Sequence, residues 1–201
     1  MKYQLQILLF VLLCIVGKVD ASSLYDYGLS FKAHTVLGTE RTTLYLDDNE
    51  PFPVKDDFII SFQIYVRANE HDFGSILHLH TNTNQFIHFS FVAGEKRHFP
   101  ALVLNEGIIN IDSPIEREKW LDVSLHLRLK ENVIEIDYNN KKISAMAPLQ
   151  GVKSITALFG QMEKYLADVA PIDLRNVTIT LDGKLIREWK LWKHNDTVCY
   201  D

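Results

Sequence analysis

Only two cysteines, Cys14 and Cys199, occur in 201 residues, and no Cys-x-x-Cys pair is among them. A thiol redox centre and a disulfide framework are thereby disfavoured, so stability must come from a hydrophobic core. A glycine-rich phosphate loop is missing, as is a Ser–His–Asp signature, which argues against nucleotide enzymes and serine hydrolases. Basic charge is scarce as well. The net charge is −5, and clusters such as Glu95-Lys96-Arg97 and Glu116-Arg117-Glu118-Lys119 mix both signs. No field draws in nucleic acid. Fixed-period repeats and low-complexity linkers are lacking too, and about 200 residues of β pattern fit one domain.

Long apolar runs are confined to the N-terminus. Lys2 supplies positive charge, Leu5 to Val16 is apolar except for Gln6, and Val19-Asp20-Ala21 ends on a small residue. A dozen such residues fall short of a bilayer span of about 30 Å, so residues 1–21 read as a signal peptide cleaved after Ala21. Lipidation at Cys14 is the rival reading, but Leu13 stands where that processing wants a small residue. Cleavage removes Cys14 and moves the net charge to −6. Cys199 is then alone, either an inert thiol or a partner for another chain. The expectation is an exported protein, secreted, periplasmic or at the cell surface, with no membrane span after signal removal.

Period-two alternation dominates the remainder. Phe58, Ile60, Phe62, Ile64 and Val66 share one face of a run, opposite Ser61, Gln63, Tyr65 and Arg67. Leu121 to Leu129 and Ile134 to Tyr138 repeat the pattern. Strands are also expected over 29–36, 42–46, 75–80, 86–92, 101–104, 108–111, 172–181 and 185–191. Turn residues separate them: Asn139-Asn140 and Asp182-Gly183 suit two-residue hairpins. All six prolines read as segment edges. One short helical turn is expected near residues 160–166. Many short strands without long helices predict an all-β, two-sheet antiparallel sandwich.

Several segments, taken in order, resemble the concanavalin A-like jelly-roll superfamily, nearest to its laminin G-like and pentraxin-like members. They are Arg41-Thr42-Thr43-Leu44-Tyr45-Leu46, the run from Phe58 to Val66, and Phe73-Gly74-Ser75-Ile76-Leu77. Trp120 leading into Leu121–Leu129, the hairpin from Ile134 to Ile143, and Asp168 to Ile179 complete the series. The resemblance implies a jelly roll over residues 22–191, in an exported module that binds glycans or proteins or packs on an adjacent domain. Residues 192–201 form a tail. It is similar to the stretch that precedes a further domain, often a propeller, in secreted multidomain bacterial proteins.

Candidate chemistry is thin. Glucanases of this superfamily carry a Glu-x-Asp-x-Glu strand whose carboxylates serve as nucleophile and acid. Glu135 and Asp137 match it, but Asn139 replaces the second Glu and cannot donate the proton. A divergent glycoside hydrolase or lyase is therefore the alternative reading. His78, His80 and His88 would suit zinc if a hairpin aligned them. No cofactor is otherwise expected, although the resemblance admits a Ca2+ ion on Asp47-Asp48-Asn49-Glu50 or Glu70-His71-Asp72. Gln63, Tyr65, Arg67, His78, His80 and His88 form the candidate binding set, placed on one outward sheet face. Such a face would suit a glycan or protein ligand, or a docking domain. Trp120 and Trp189 read as core or rim packing. Asn176-Val177-Thr178 and Asn195-Asp196-Thr197 fit the N-glycosylation pattern.

Overall fold

A computed structural model of the chain describes residues 27–68, 71–95, 97–162, 168–192, 194–195 and 198–199, the last two pairs as backbone only. The signal peptide, Cys14, Glu70 and the Cys199 side chain lie outside the described residues. In chain order the strands are β1 (Leu29–Ser30), β2 (Thr43–Tyr45), β3 (Phe52–Pro53), β4 (Asp57–Val66), β5 (Gly74–Thr81) and β6 (Phe86–Ala93). There follow β7 (His98–Leu104), β8 (Gly107–Asn110), β9 (Trp120–Arg128), β10 (Val133–Tyr138) and β11 (Lys141–Met146). The remainder are β12 (Ser154–Gly160), β13 (Ile172–Leu181), β14 (Lys184–Trp189), β15 (His194–Asn195) and β16 (Val198–Cys199).

Two sheets form a jelly-roll sandwich. The first runs β1-β13-β4-β9-β10-β11, with β14 also on β13; the second runs β2-β12-β5-β6-β7-β8, with β3 also on β12. All named ladders are antiparallel. Alternation causes the layering, because successive side chains leave a strand on opposite faces. Along β4, Phe58, Ile60, Phe62, Ile64 and Val66 are buried while their neighbours are half-buried. They meet Leu77 and Leu79 of β5, Phe89 of β6 and Phe159 of β12 in one core. Phe62 packs edge-on against Phe159 at 5.0 Å between ring centres, and Phe89 lies 5.8 Å from Tyr138. Each such buried side chain contributes about 1.5–3 kcal/mol, and a ring pair roughly 0.5–1.5 more.

The expected hairpins form. Asn139 and Asn140 both have positive φ, 49° and 64°, and close β10 onto β11 with Tyr138 opposite Lys141. Asp182 (φ 47°) and Gly183 (φ 77°) do the same for β13 and β14. Asp182 Oδ1 also accepts from the Asp56 and Asp57 amides at 2.9 Å, tying this turn to the start of β4.

Three expectations need correction. Only Leu29–Ser30 of the 29–36 run is strand. Past it, the Phe31 carbonyl accepts from the Arg67 guanidinium at 2.7 Å, and the chain turns away. β12 is an internal strand of the second sheet that the alternation did not expose. Its Leu158 is buried on the outward side and breaks the polar pattern. The helical turn expected near residues 160–166 falls mostly on 163–167, which lie outside the described residues; Gly160 itself ends β12. Pro100 stands inside β7 and not at an edge, one residue beyond the end of the β8 ladder, where a missing N–H is tolerated.

Candidate functional site

The six binding candidates divide between the two sheets. Gln63 and Tyr65 project from β4, and Arg67 from the residue just past it, on the first sheet, whereas His78, His80 and His88 project from β5 and β6 on the outer side of the second. The core lies between them. One shared face is therefore ruled out.

On the first sheet, Gln63 is the hub of a polar network. Its Nε2 donates to Asp122 Oδ1 at 2.8 Å, and its Oε1 accepts from Arg175 Nε at 2.8 Å and Asn176 Nδ2 at 2.9 Å. Asn176 reaches it from a bulge: the β13–β4 register shifts between Arg175 and Thr178, and Asn176 has φ 51°. Bulges re-aim side chains in this way. Beside the hub, Tyr65 lies 5.6 Å from Trp120, and the Arg175 guanidinium stacks 3.8 Å above the Trp120 ring. Trp120 is thus rim packing with a wall of the site beside it.

Two adjoining depressions run along this face. One, of about 320 Å3, is lined by Ser61, Gln63, Asp122, Ser124, Asp137 and Asn176 among others. The next, of about 430 Å3, shares Ser124 and Asp137 and adds His126, Arg128, Glu135 and Lys142. Together they make a groove of carboxylates, amides, hydroxyls and cations across β4, β9 and β10. Sequence reasoning named Gln63 as a binding candidate, but on a face shared with the three histidines. It missed Asp122, Arg175 and Asn176, because their convergence depends on strand order and on the bulge.

Glu135 and Asp137 lie in that groove, each facing a basic side chain. Arg128 binds Glu135 Oε2 at 3.0 Å, and His126 Nδ1 is 3.8 Å away while its Nε2 contacts Asp57 Oδ1 at 2.9 Å. Lys142 faces Asp137 at 3.7 Å. Asn139 donates to Glu116, away from the pair.

Arg67 is a structural clasp. Its guanidinium donates to Phe31 O (2.7 Å), Ile172 O (2.7 Å), Ser30 Oγ (3.0 Å) and Asp173 Oδ1 (2.9 Å), fastening the β1 edge to β4 and β13.

One carboxylate in each acidic loop, Asp47 and Asp72, is engaged by an arginine. Arg187 binds Asp47 at 2.9 and 3.2 Å. Burial alone would raise the Asp72 pKa, yet hydrogen bonds from His98 and Arg117 bring it below its ordinary value.

On the second sheet, β6 pairs with β5 so that His88 sits directly opposite His78. Ring centres are 4.2 Å apart for His78 and His88, 5.6 Å for His80 and His88, and 6.5 Å for His78 and His80. Desolvation pushes His78 down to about 4 and His88 to about 3, and lowers His80 as well, so all three rings are neutral near pH 7. Among the described residues, this is the group of His, Cys, Asp and Glu side chains that converges as metal ligands do.

No helix among the described residues is long and apolar enough to cross a membrane. No family model and no curated protein matches the sequence. Solved structures do. Full-length tailspike protein 2 of Escherichia coli O157:H7 bacteriophage CAB120 matches with TM-score 0.61 and 12% identity, over 82% of this chain and 26% of that one. The extracellular region of zebrafish Gpr126 matches with TM-score 0.55 and 13% identity, over 87% of this chain and 26% of that one. An alginate lyase from Pseudomonas aeruginosa matches with TM-score 0.51 and 9% identity, over 71% and 74%. This chain spans about a quarter of the tailspike. At such identities the likeness is one of fold.

Proposed function

We propose that the chain is an exported, non-catalytic recognition module that binds carbohydrate along the groove on the outer face of its first sheet. The continuous run of depressions sharing Ser124 and Asp137 carries this reading. Sugar hydroxyls both donate and accept, so they are held by carboxylates, amides and guanidinium groups that are themselves fixed in place. The Gln63 network supplies such fixed groups. The matched fold also occurs in an alginate lyase. Against turnover stands the amide at Asn139, in the place of a second Glu, which donates to Glu116. The signal-peptide-like pattern of residues 1–21 and the sequence resemblance to laminin G-like domains lend the reading support.

Glycan-array screening of the secreted chain, followed by calorimetry on the best ligand, tests the reading. Gln63→Ala removes the shared partner of Asp122, Arg175 and Asn176, and is expected to weaken binding at least about tenfold, the effect of losing one charge-assisted contact. Depolymerisation of any bound polysaccharide, abolished by Glu135→Gln, would replace the reading with catalysis. The absence of any glycan ligand would remove it.

A further inference from the structure

Three histidine nitrogens on the second sheet have nothing to bond. His78 Nδ1, His80 Nε2 and His88 Nε2 are buried from solvent and find no hydrogen-bond partner. Leaving buried polar atoms unpaired is costly and uncommon. The three rings also stand together: each offers one nitrogen to a set whose members lie within 4.8 Å of one another. The convergence is built by the sheet. A register shift between Ser75 and Leu77 turns Leu77 and Leu79 into the core and leaves His78 and His80 on the outside, and the β5–β6 ladder sets His88 against His78.

One ring is also oriented by the backbone. His78 Nε2 lies 2.9 Å from Gly160 O. A carbonyl only accepts, so Nε2 carries the proton and Nδ1 keeps its lone pair. That carbonyl is itself held: Gly160 has φ +84°, and a Cβ there would fall 2.2 Å from Thr42 O and 2.9 Å from Phe31 Cε1. Metal-bound imidazoles commonly have such a carbonyl on the other nitrogen, fixing tautomer and ring angle.

We propose that His78, His80 and His88 form a binding site for a divalent transition-metal ion, zinc being the ion that best fits, with a fourth position left for water or an external ligand. Imidazole suits zinc and its neighbours, whereas calcium and magnesium require oxygen ligands. A tetrahedral ion with bonds near 2.05 Å needs its nitrogens about 3.3 Å apart. His80 and His88 are half-buried and can swing inward, while His78 stays pinned. Phe86, 4.9 Å from the His88 ring, and Leu158, opposite His78, make the surroundings apolar. The site lies on the opposite side of the sandwich from the carbohydrate groove, so neither proposal depends on the other.

The test uses the full chain without a polyhistidine tag, stripped with a chelator and titrated with Zn2+, with metal retained after dialysis measured directly. One equivalent of zinc per chain is expected, and Co2+ in its place should give the visible bands of a four-coordinate ion. His80→Ala and His88→Ala should each weaken zinc binding by more than about 100-fold, beyond the 10–100-fold typical of losing an outer partner. His71→Ala, at an exposed histidine outside the cluster, should bind as the parent does. X-ray absorption of the zinc-loaded parent needs no variant and should report three imidazole nitrogens. Failure to retain zinc, equal binding by both cluster variants, or a zinc shell without imidazole would overturn the site.

Discussion

Arg67→Ala separates a binding residue from a structural one. In the parent, the guanidinium spans Phe31 O, Ile172 O, Ser30 Oγ and Asp173 Oδ1 at 2.7–3.0 Å. The Arg67 and Asp173 side chains are 22% and 23% exposed, so their ion pair falls between the surface and buried limits. It contributes about 1 kcal/mol once solvent screening is allowed for. The two charge-assisted bonds to carbonyls add roughly 1 kcal/mol each by the same discount. Ile172 O keeps the Phe31 amide at 2.9 Å, but Phe31 O loses the guanidinium. The expected loss is about 3 kcal/mol, equivalent to a fall of roughly 1–1.5 M in the urea midpoint or 6–12 °C in Tm for a domain of this size. Arg67→Lys should recover only part, because an ammonium lacks the planar fork. Urea titration gives the stability, and hydrogen exchange at the Phe31 amide should rise first, since β1 has only two paired residues. Glycan affinity of the folded variant should be unchanged. A loss below about 1 kcal/mol with unaltered exchange at Phe31 would refute the clasp.

Two further predictions concern the second sheet. In chelator-treated protein the three histidines are neutral when folded, with His78 near 4 and His88 near 3, against about 6.5 for an unperturbed histidine. The unfolded chain therefore binds more protons between these values. Stability is full above pH 6.5 and falls as pH drops toward 4, by on the order of 3 kcal/mol from His78 alone. Urea midpoints that stay flat from pH 7 to 4.5 would contradict it. Gly160→Ala places a Cβ against the Thr42 carbonyl at a φ of +84°. It should cost about 2–3 kcal/mol as strain and backbone displacement, and thermal unfolding with a loss below 1 kcal/mol would show that the strand yields freely.

Strong local signals were readable from residues alone. The inward set of β4, from Phe58 to Val66, and the Asn139-Asn140 and Asp182-Gly183 turns appear in the fold as the alternation and turn chemistry require. β12 escaped notice because Leu158 and Phe159 are both buried and blur the period of two. The Asn176 contribution to the groove escaped for another reason. A bulge is one extra residue in a ladder, and it is visible only once the partner strand is known.

Alternation determined which side chains are dry and which point outward, since that choice is local to each strand and repeats every two residues. It left open which sheet each strand joins. Gln63 and His78 are both outward-facing, yet they stand on opposite sides of the core, because strand pairing is settled by contacts between residues far apart in sequence. Tertiary structure alone brought Asn176 and Arg175 to Gln63, gave Arg67 to the β1 edge, and gathered three histidine nitrogens at one point.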